Sequence, residues 1–307
     1  MAEHIKEKCN EKFIYRKEIG VIGFGTMGKA LVESILRKDL VDKEDLIVAD
    51  SSRERLDLAR EELDISVTTS NVEAMMSSKT IVLSVKPQTM PDIMSELNGK
   101  VSPDQLIISI AAGITTHFIE TSLGGKPRVV RAMPNLPCTV SEGMIAYSLG
   151  RYAQPRDALT AERLMGSVGK TIQVSETLMD AVTGLSGSGP AFLSLVMEAM
   201  ADAGVKVGFD RKTALVLAAQ TMLGTAKLAL ETGLHPAQIK DMVCSPGGTA
   251  ITGIATLEAG CVRHHIMKAV EDATNRSSEL GRQSQKYSFR RQRGKEQVDA
   301  ETHSSTT

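Results

Sequence analysis

Three glycine-rich segments carry the residues best placed to do chemistry. The first is Gly23-Phe24-Gly25-Thr26-Met27-Gly28, a GxGxxG spacing between the apolar run Ile19 to Phe24 and a helical pattern. In that setting each glycine has a job: the tight turn, close backbone approach to a pyrophosphate, and close helix–strand packing. The helix start then offers bare N–H groups and a partial positive charge to the phosphates. A glycine turn used only for packing is the plainer alternative. The flanking strand, the helix and an acidic strand end favour a dinucleotide. Asp50 is that acidic end, closing a second apolar run from Leu46. A carboxylate there can take the adenosine ribose hydroxyls and repel a 2′-phosphate. Arg53 and Arg55 follow, and either can pair with a 2′-phosphate. NADH and NADPH both stay open, with a lean to NADH.

The second segment is Thr183-Gly-Leu-Ser-Gly-Ser-Gly-Pro190. Its glycines let backbone approach a ligand or another helix, and Ser186 and Ser188 could supply hydroxyls. The third, Ser245-Pro246-Gly247-Gly248-Thr249, precedes a helical stretch. A Ser/Gly/Thr turn at a helix start is an anion site in outline, for a carboxylate or phosphate. Plain capping by Thr249 or Ser245 is the alternative, but capping needs neither two glycines nor a proline.

The elements that must position these segments can be read from periodicity. Short apolar runs occur at Thr80 to Val85, Leu106 to Ala111 and Arg128 to Met133, besides the two already named. Helical patterns separate them, at Met27 to Lys38 and Arg53 to Glu62 for example. Continuous apolar strands between helices imply a parallel sheet covered on both faces, a doubly wound α/β unit. Met144 to Leu149 and Thr171 to Val174 are expected as added edge strands around a helix at Pro155 to Val168. From about Ser175 the strands stop. Helices are expected at Pro190 to Ala203, Arg211 to Leu230, Pro236 to Val243, Thr249 to Leu257 and Arg263 to Leu280. The expected organisation is a polar leader (1–17), a dinucleotide-binding domain (18–174), a helical domain (175–280) and a polar, solvated tail (281–307).

Composition narrows the function classes. The chain has 25 Gly and 15 Met but no Trp, 4 Tyr and 6 Phe, which argues against aromatic stacking platforms. A net charge of −1 gives no bulk pull toward nucleic acid or an anionic membrane. No run approaches 18 consecutive apolar residues, so no membrane span is expected. Cys9, Cys138, Cys244 and Cys261 are scattered, with no CxxC pair and no disulfide framework, which fits a reducing, cytoplasmic setting. His264 and His265 are adjacent and expected as one surface and one partly packed side chain, not a metal pair; no metal is expected. The leader has no apolar core and several Glu, unlike a secretory or transit segment. The tail's basic cluster, Arg290, Arg291, Arg293 and Lys295, reads as solvated chain.

Taken together, the segments resemble the Δ1-pyrroline-5-carboxylate reductase family of proline biosynthesis. The likeness runs from Ile19 to about Leu280. It is carried by GFGTMG at 23–28, Val85-Lys86-Pro87, Ala111-Ala112-Gly113-Ile114 and Arg131-Ala-Met-Pro-Asn-Leu-Pro137. TGLSGSGPAF at 183–192, ADAGVKVG at 201–208, AAQTMLGTAK at 218–227, HPAQIKDMVCSPGGTA at 235–250 and LEAG at 257–260 complete it. The resemblance implies an N-terminal Rossmann domain and an all-helical C-terminal dimerisation domain that interlocks with a second subunit. It implies hydride transfer from NADPH or NADH to C5 of a cyclic imine, giving L-proline. Coenzyme contacts then fall on Ile22, Gly23, Phe24, Gly25, Thr26, Met27 and Gly28, on Asp50, Ser52 and Arg53, and on Asn71, Val85, Lys86, Ile110 and Ala112. Substrate contacts fall on Ser186, Ser188, Gly247, Gly248, Thr249 and Ala250. Ser245 and Thr249 are the catalytic candidates. The family carries Thr where this chain has Ala250, so one hydroxyl facing the imine is missing. Thr249 should point about 100° away around a helix and substitutes poorly. A weakened but real reductase is expected. The alternatives are a β-hydroxyacid-dehydrogenase-like enzyme, for which SGSGPAFLSLVMEAM lacks a lysine, and a non-catalytic dinucleotide binder.

Overall fold

The structure is a computed structural model that describes residues 15–282. The leader up to residue 14, with Cys9, and the tail from 283, with its basic cluster, lie outside the described residues.

The strands are β1 Lys17–Ile22, β2 Leu46–Ala49, β3 Ser66–Thr68, β4 Ser78–Leu83, β5 Leu106–Ser109, β6 Arg128–Met133, β7 Gly143–Leu149 and β8 Gly169–Gln173. The helices are α1 Thr26–Arg37, α2 Arg53–Leu63, α3 Asn71–Ser77, α4 Met90–Leu97, α5 Thr116–Leu123, α6 Pro155–Met165, α7 Met179–Val182, α8 Gly189–Lys206, α9 Arg211–Thr232, α10 Pro236–Val243 and α11 Thr249–Ala259. A last helix, α12, covers 262–282. Their starts follow local chemistry. Ser52, Ser70, Thr115 and Asp210 accept a backbone N–H at the heads of α2, α3, α5 and α9. Gln154 and Asp157 form a reciprocal cap on α6.

The eight strands form one sheet in the order β3-β2-β1-β4-β5-β6-β7-β8. β1 to β6 run parallel. β7 is antiparallel to β6, and β8 is parallel to β7. The expected pair of added strands is therefore one interior strand, β7, and one edge, β8. Because side chains alternate across a strand, neighbours in sequence fall into separate cores. Val21, Val48, Val82, Ile108 and Val130 pack with Leu31 and Ile35 of α1. Ile22, Ile47, Ile81, Ile107 and Val129 pack on the other face with Met75, Met94 and Ile119. Both faces are covered, as the continuous apolar runs required. Strand order reverses between β1 and β4, which opens a crevice at their carboxyl ends.

The chain divides into two compact units, Met1–Gly187 with Thr274–Thr307 and Ser188–Ala273, so the boundary falls within α12. The second unit is all helical and its own core is small: Ala201, Ala214 and Ala218, with Met197 against them. Leu193, Leu195, Leu215, Leu217, Leu223 and Leu230 are exposed. α9 is long and apolar enough to cross a membrane, with mean hydropathy 1.3 over 18 residues and only 11% of that window buried. Lys, Gln and Thr interrupt its apolar residues, so no long consecutive apolar run marks it in the sequence. Small residues let α8 approach α9 closely: a Cβ on Gly204 would lie 2.8 Å from that of Ala214.

Candidate functional site

The first glycine segment lies at the switch between β1 and β4. Gly23 has φ +98°, and a side chain there would collide with the Ser84 carbonyl. A Cβ on Gly28 would collide with the Gly23 carbonyl, so α1 can pack against the turn only with glycine at this position. Gly25 differs, since nothing lies within 4 Å of where its Cβ would be. It is the N-cap of α1, with no side-chain cap and no acidic residue in the first turn. An open helix start of this kind can receive a phosphate.

A cleft of about 610 Å³ adjoins the turn. Of the expected coenzyme residues, Ile22, Gly23, Gly25, Thr26, Asp50, Asn71, Val85 and Lys86 line it. Phe24 is buried beneath, and its N–H donates to Asp50 Oδ2 at 2.7 Å. Asp50 Oδ1 accepts from the Ser52 N–H at 2.8 Å. Arg55 Nη1 stands 3.5 Å from Asp50 Oδ2. Asp50 therefore organises the glycine turn and the head of α2 while it faces the cleft. Met27 packs on the core, Ser52 caps α2, and Arg53 is exposed at its first position. Ile110 and Ala112 are half-buried just beyond β5, outside the residues lining this cleft. Sequence reading missed Ser51, Thr69, Ser84, Thr89, Asp92, Ile93 and Glu96, which also line it. Glu96 accepts from Asn71 Nδ2 at 2.8 Å, a contact between α4 and α3 that no local pattern announces.

The second segment is a π-helical turn over Thr183–Gly187, running from α7 into α8. Gly184 is buried. A Cβ on Gly187 would come 2.9 Å from Met133 Cε, so this glycine serves close packing. Asn135 Nδ2 donates to the Ser186 carbonyl at 3.2 Å and approaches its Oγ at 3.4 Å. Ser188 follows as the first residue of the helical unit.

The third segment heads α11. Gly247 takes φ +65°, and the Gly248 N–H donates to the Ser245 carbonyl at 3.0 Å. Gly248 is the N-cap and no side chain caps the helix. Capping by Ser245 or Thr249 is thus not what the turn does. A Cβ on Gly248 would collide with Ser245 Oγ. Ser245, Gly247 and Thr249 are exposed, whereas Gly248 and Ala250 are half-buried. Thr249 and Ala250 both line an apolar groove of about 1020 Å³ between α9, α10 and α11, with Ile239, Val243, Ile254 and Leu257.

His264 and His265 are both exposed, with rings 5.4 Å apart in an edge arrangement, so the one expected at the surface is there and the one expected to be partly packed is not packed. Adjacent residues on α12 diverge by about 100°, which leaves both in solvent. Among the described residues no cluster of three His, Cys, Asp or Glu is placed to hold a metal. Cys138, Cys244 and Cys261 are free thiols.

Residues 176–280 match the family model for pyrroline-5-carboxylate reductase dimerisation, and 18–113 match that for coenzyme F420-dependent NADP oxidoreductases. A pyrroline-5-carboxylate reductase of Methanosarcina acetivorans is 47% identical over 87% of this chain and 98% of its own length. That of Pisum sativum is 40% identical over 85% of this chain and 95% of its own. The solved reductase of Coxiella burnetii superposes with a TM-score of 0.80 at 35% identity, covering 86% of this chain and 98% of that one. The Plasmodium falciparum enzyme, solved with NADP bound, gives 0.78 at 30% identity, covering 87% and 99%.

Proposed function

The chain belongs to the pyrroline-5-carboxylate reductase family, and from that premise we propose how its own residues carry the reaction. The reaction is NAD(P)H-dependent reduction of Δ1-pyrroline-5-carboxylate to L-proline, the last step of proline biosynthesis. The glycine turn fits a dinucleotide: Gly25 leaves open space at a helix start, and Asp50 stands at the end of β2. Bound there, NADPH or NADH supplies the hydride that the imine carbon takes up. Gly23, Gly25 and Thr26 hold the pyrophosphate, Asp50 and Arg55 face the adenosine ribose, and Asn71, Val85 and Lys86 line the rest of the cleft.

The open start of α11 is the observation that carries the substrate assignment. The Gly247-Gly248 turn leads into a helix start that no side chain caps, and the first N–H groups of α11 beyond Gly248 can hold a small carboxylate, beside the hydroxyls of Ser245 and Thr249. Ser186 and Ser188 supply further polar contacts. At Ala250 no hydroxyl meets the imine, so the proton that accompanies reduction comes from water or from Thr249, which lines the same groove. Rate enhancement then rests on positioning the imine carbon against the hydride donor.

The dimerisation match supports self-association. A second copy of the helical unit supplies the apolar cover that its three-alanine core and exposed leucines lack. Free thiols at Cys138, Cys244 and Cys261 support a reducing, cytoplasmic setting.

The test is NAD(P)H oxidation followed at 340 nm with Δ1-pyrroline-5-carboxylate as substrate, proline being identified as the product. Steady consumption is expected. Tight coenzyme binding without consumption would refute the enzyme and favour a dinucleotide-binding protein with no reductase activity.

A further inference from the structure

One face of β6 and its extension grips the segment from the 3-10 turn Glu176–Leu178 through the π-turn at three points. Residues 131, 133 and 135 alternate with the core residues Val130 and Ala132, so they share the opposite face. Arg131, itself 4% exposed, brings Nη1 to 3.5 Å from Glu176 Oε1 and Nη2 to 3.9 Å from Asp180 Oδ1. Met133 closes on Gly187. Asn135 reaches the centre of the turn at Ser186. Asn135 is anchored in its own right, since its Oδ1 accepts from the Met144 N–H at 2.9 Å. Its side chain thus ties β7 on one side to the π-turn on the other.

π-turns are rare and occur frequently at functional sites. This one lies past the carboxyl end of β6. β6 is parallel to β5, β5 to β4, and β4 to β1, so that end shares the sheet edge where the coenzyme cleft opens. A serine held there has a use beyond packing.

We propose that Asn135 is a positioning residue for the reaction: its amide fixes Ser186 in the π-turn, so that the substrate meets the serine hydroxyl in one geometry. The proposal rests on the reading above that Ser186 touches substrate. Asn135 does not itself touch the reacting atoms. It acts on substrate affinity, not on coenzyme binding, because none of its contacts reaches the glycine turn.

The test is a cycle of Asn135→Asp, Ser186→Ala and the double variant. Asp keeps the acceptor for Met144 N–H and removes the donor to Ser186. Substrate KM is measured by NADH oxidation. Coenzyme Kd is measured by NADH fluorescence, undisturbed by tryptophan because the chain has none. Each single variant is expected to raise substrate KM about 2- to 12-fold, the loss of one hydrogen bond. The double variant should add nothing further, and coenzyme Kd should stay unchanged in all three. Asn135→Gln, which keeps the amide, should recover part of the loss. If Ser186→Ala leaves KM unchanged, Ser186 does not touch substrate and the underlying reading fails. If Ser186→Ala raises KM while Asn135→Asp does not, or if the two effects multiply, positioning by Asn135 is overturned. A parallel rise in coenzyme Kd with a lowered melting temperature would overturn it too, leaving Asn135 a purely structural residue.

Discussion

Replacing Asp50 by Ser should turn the coenzyme preference toward NADPH. The carboxylate is 4% exposed and held by two backbone N–H groups, at 2.7 Å from Phe24 and 2.8 Å from Ser52, so it cannot swing away from a ligand. The repulsion of a 2′-phosphate on the adenosine ribose can be scaled at an assumed separation of about 5 Å. At an effective dielectric constant of about 20, that repulsion is worth ~3 kcal/mol per unit charge pair. Arg55 offsets part of this, but its side chain is 54% exposed and stands on the solvent side of the pair, where water and salt screen it. A net discrimination of about 2–3 kcal/mol remains, or roughly 30- to 160-fold in relative kcat/KM. The assay is steady-state kcat/KM with each coenzyme for the native chain, Asp50→Ser and Arg55→Ala. The first variant should move the NADPH/NADH ratio up by that factor, and the second should move it down. Asp50→Ser should also melt lower, because two charge-assisted hydrogen bonds worth about 1.5–3 kcal/mol each are lost. A ratio that moves less than threefold, or a native enzyme that already prefers NADPH by more than tenfold, refutes the electrostatic reasoning.

Three further outcomes can be checked. Gly28→Ala drives a methyl into the Gly23 carbonyl, so coenzyme binding should be lost, with about 1–3 kcal/mol of overpacking visible in denaturant melts. A variant with native coenzyme Kd would show that the turn yields more than this packing allows. Ala250→Thr restores a hydroxyl at the second position of α11 and should raise turnover about 2- to 12-fold, whereas unchanged kcat would show the hydroxyl dispensable. Tyr147 is buried and donates to Glu162, and its phenol is pushed up to about 12 by burial first and by that carboxylate second. Its contribution to stability is present below its ordinary value of 10.0 and is lost as pH rises through about 12. Melting curves of Tyr147→Phe should therefore lack the decline that the native chain shows between those pH values; identical declines would remove Tyr147 as its source.

Legibility in the sequence followed the range of the forces involved. The Arg128–Met133 strand and the Pro236–Val243 helix could be read to the residue, because an apolar run and a proline-opened turn are local signals. The glycine turn and Asp50 were legible for the same reason: each glycine answers a steric demand within a few residues. β3, α3, α4 and α5 were not anticipated. β3 is three half-buried residues at the sheet edge, with no apolar run to announce it. α5 did carry a signal, since Thr115 accepts the Phe118 N–H as an N-cap, but its apolar positions are few. The unread part of the site was long-range. Asp92 and Glu96 reach the cleft because α4 packs beside α3, and Asn135 meets Ser186 across 51 residues. No spacing rule encodes such meetings.

The small core of the helical unit also bears on how the protein responds to dilution. Three alanines and a methionine cannot by themselves offset the backbone entropy of ordering α8 to α11 and the start of α12. Native structure in that half is then expected to depend on self-association, and its free energy to carry a term in the logarithm of protein concentration. The sheet half, with its two extensive cores, carries no such term. As the chain is diluted, the capacity to hold an imine acid should fade while the capacity to hold a dinucleotide persists. Turnover measured at falling protein concentration should therefore drop before coenzyme binding does, with no effector added.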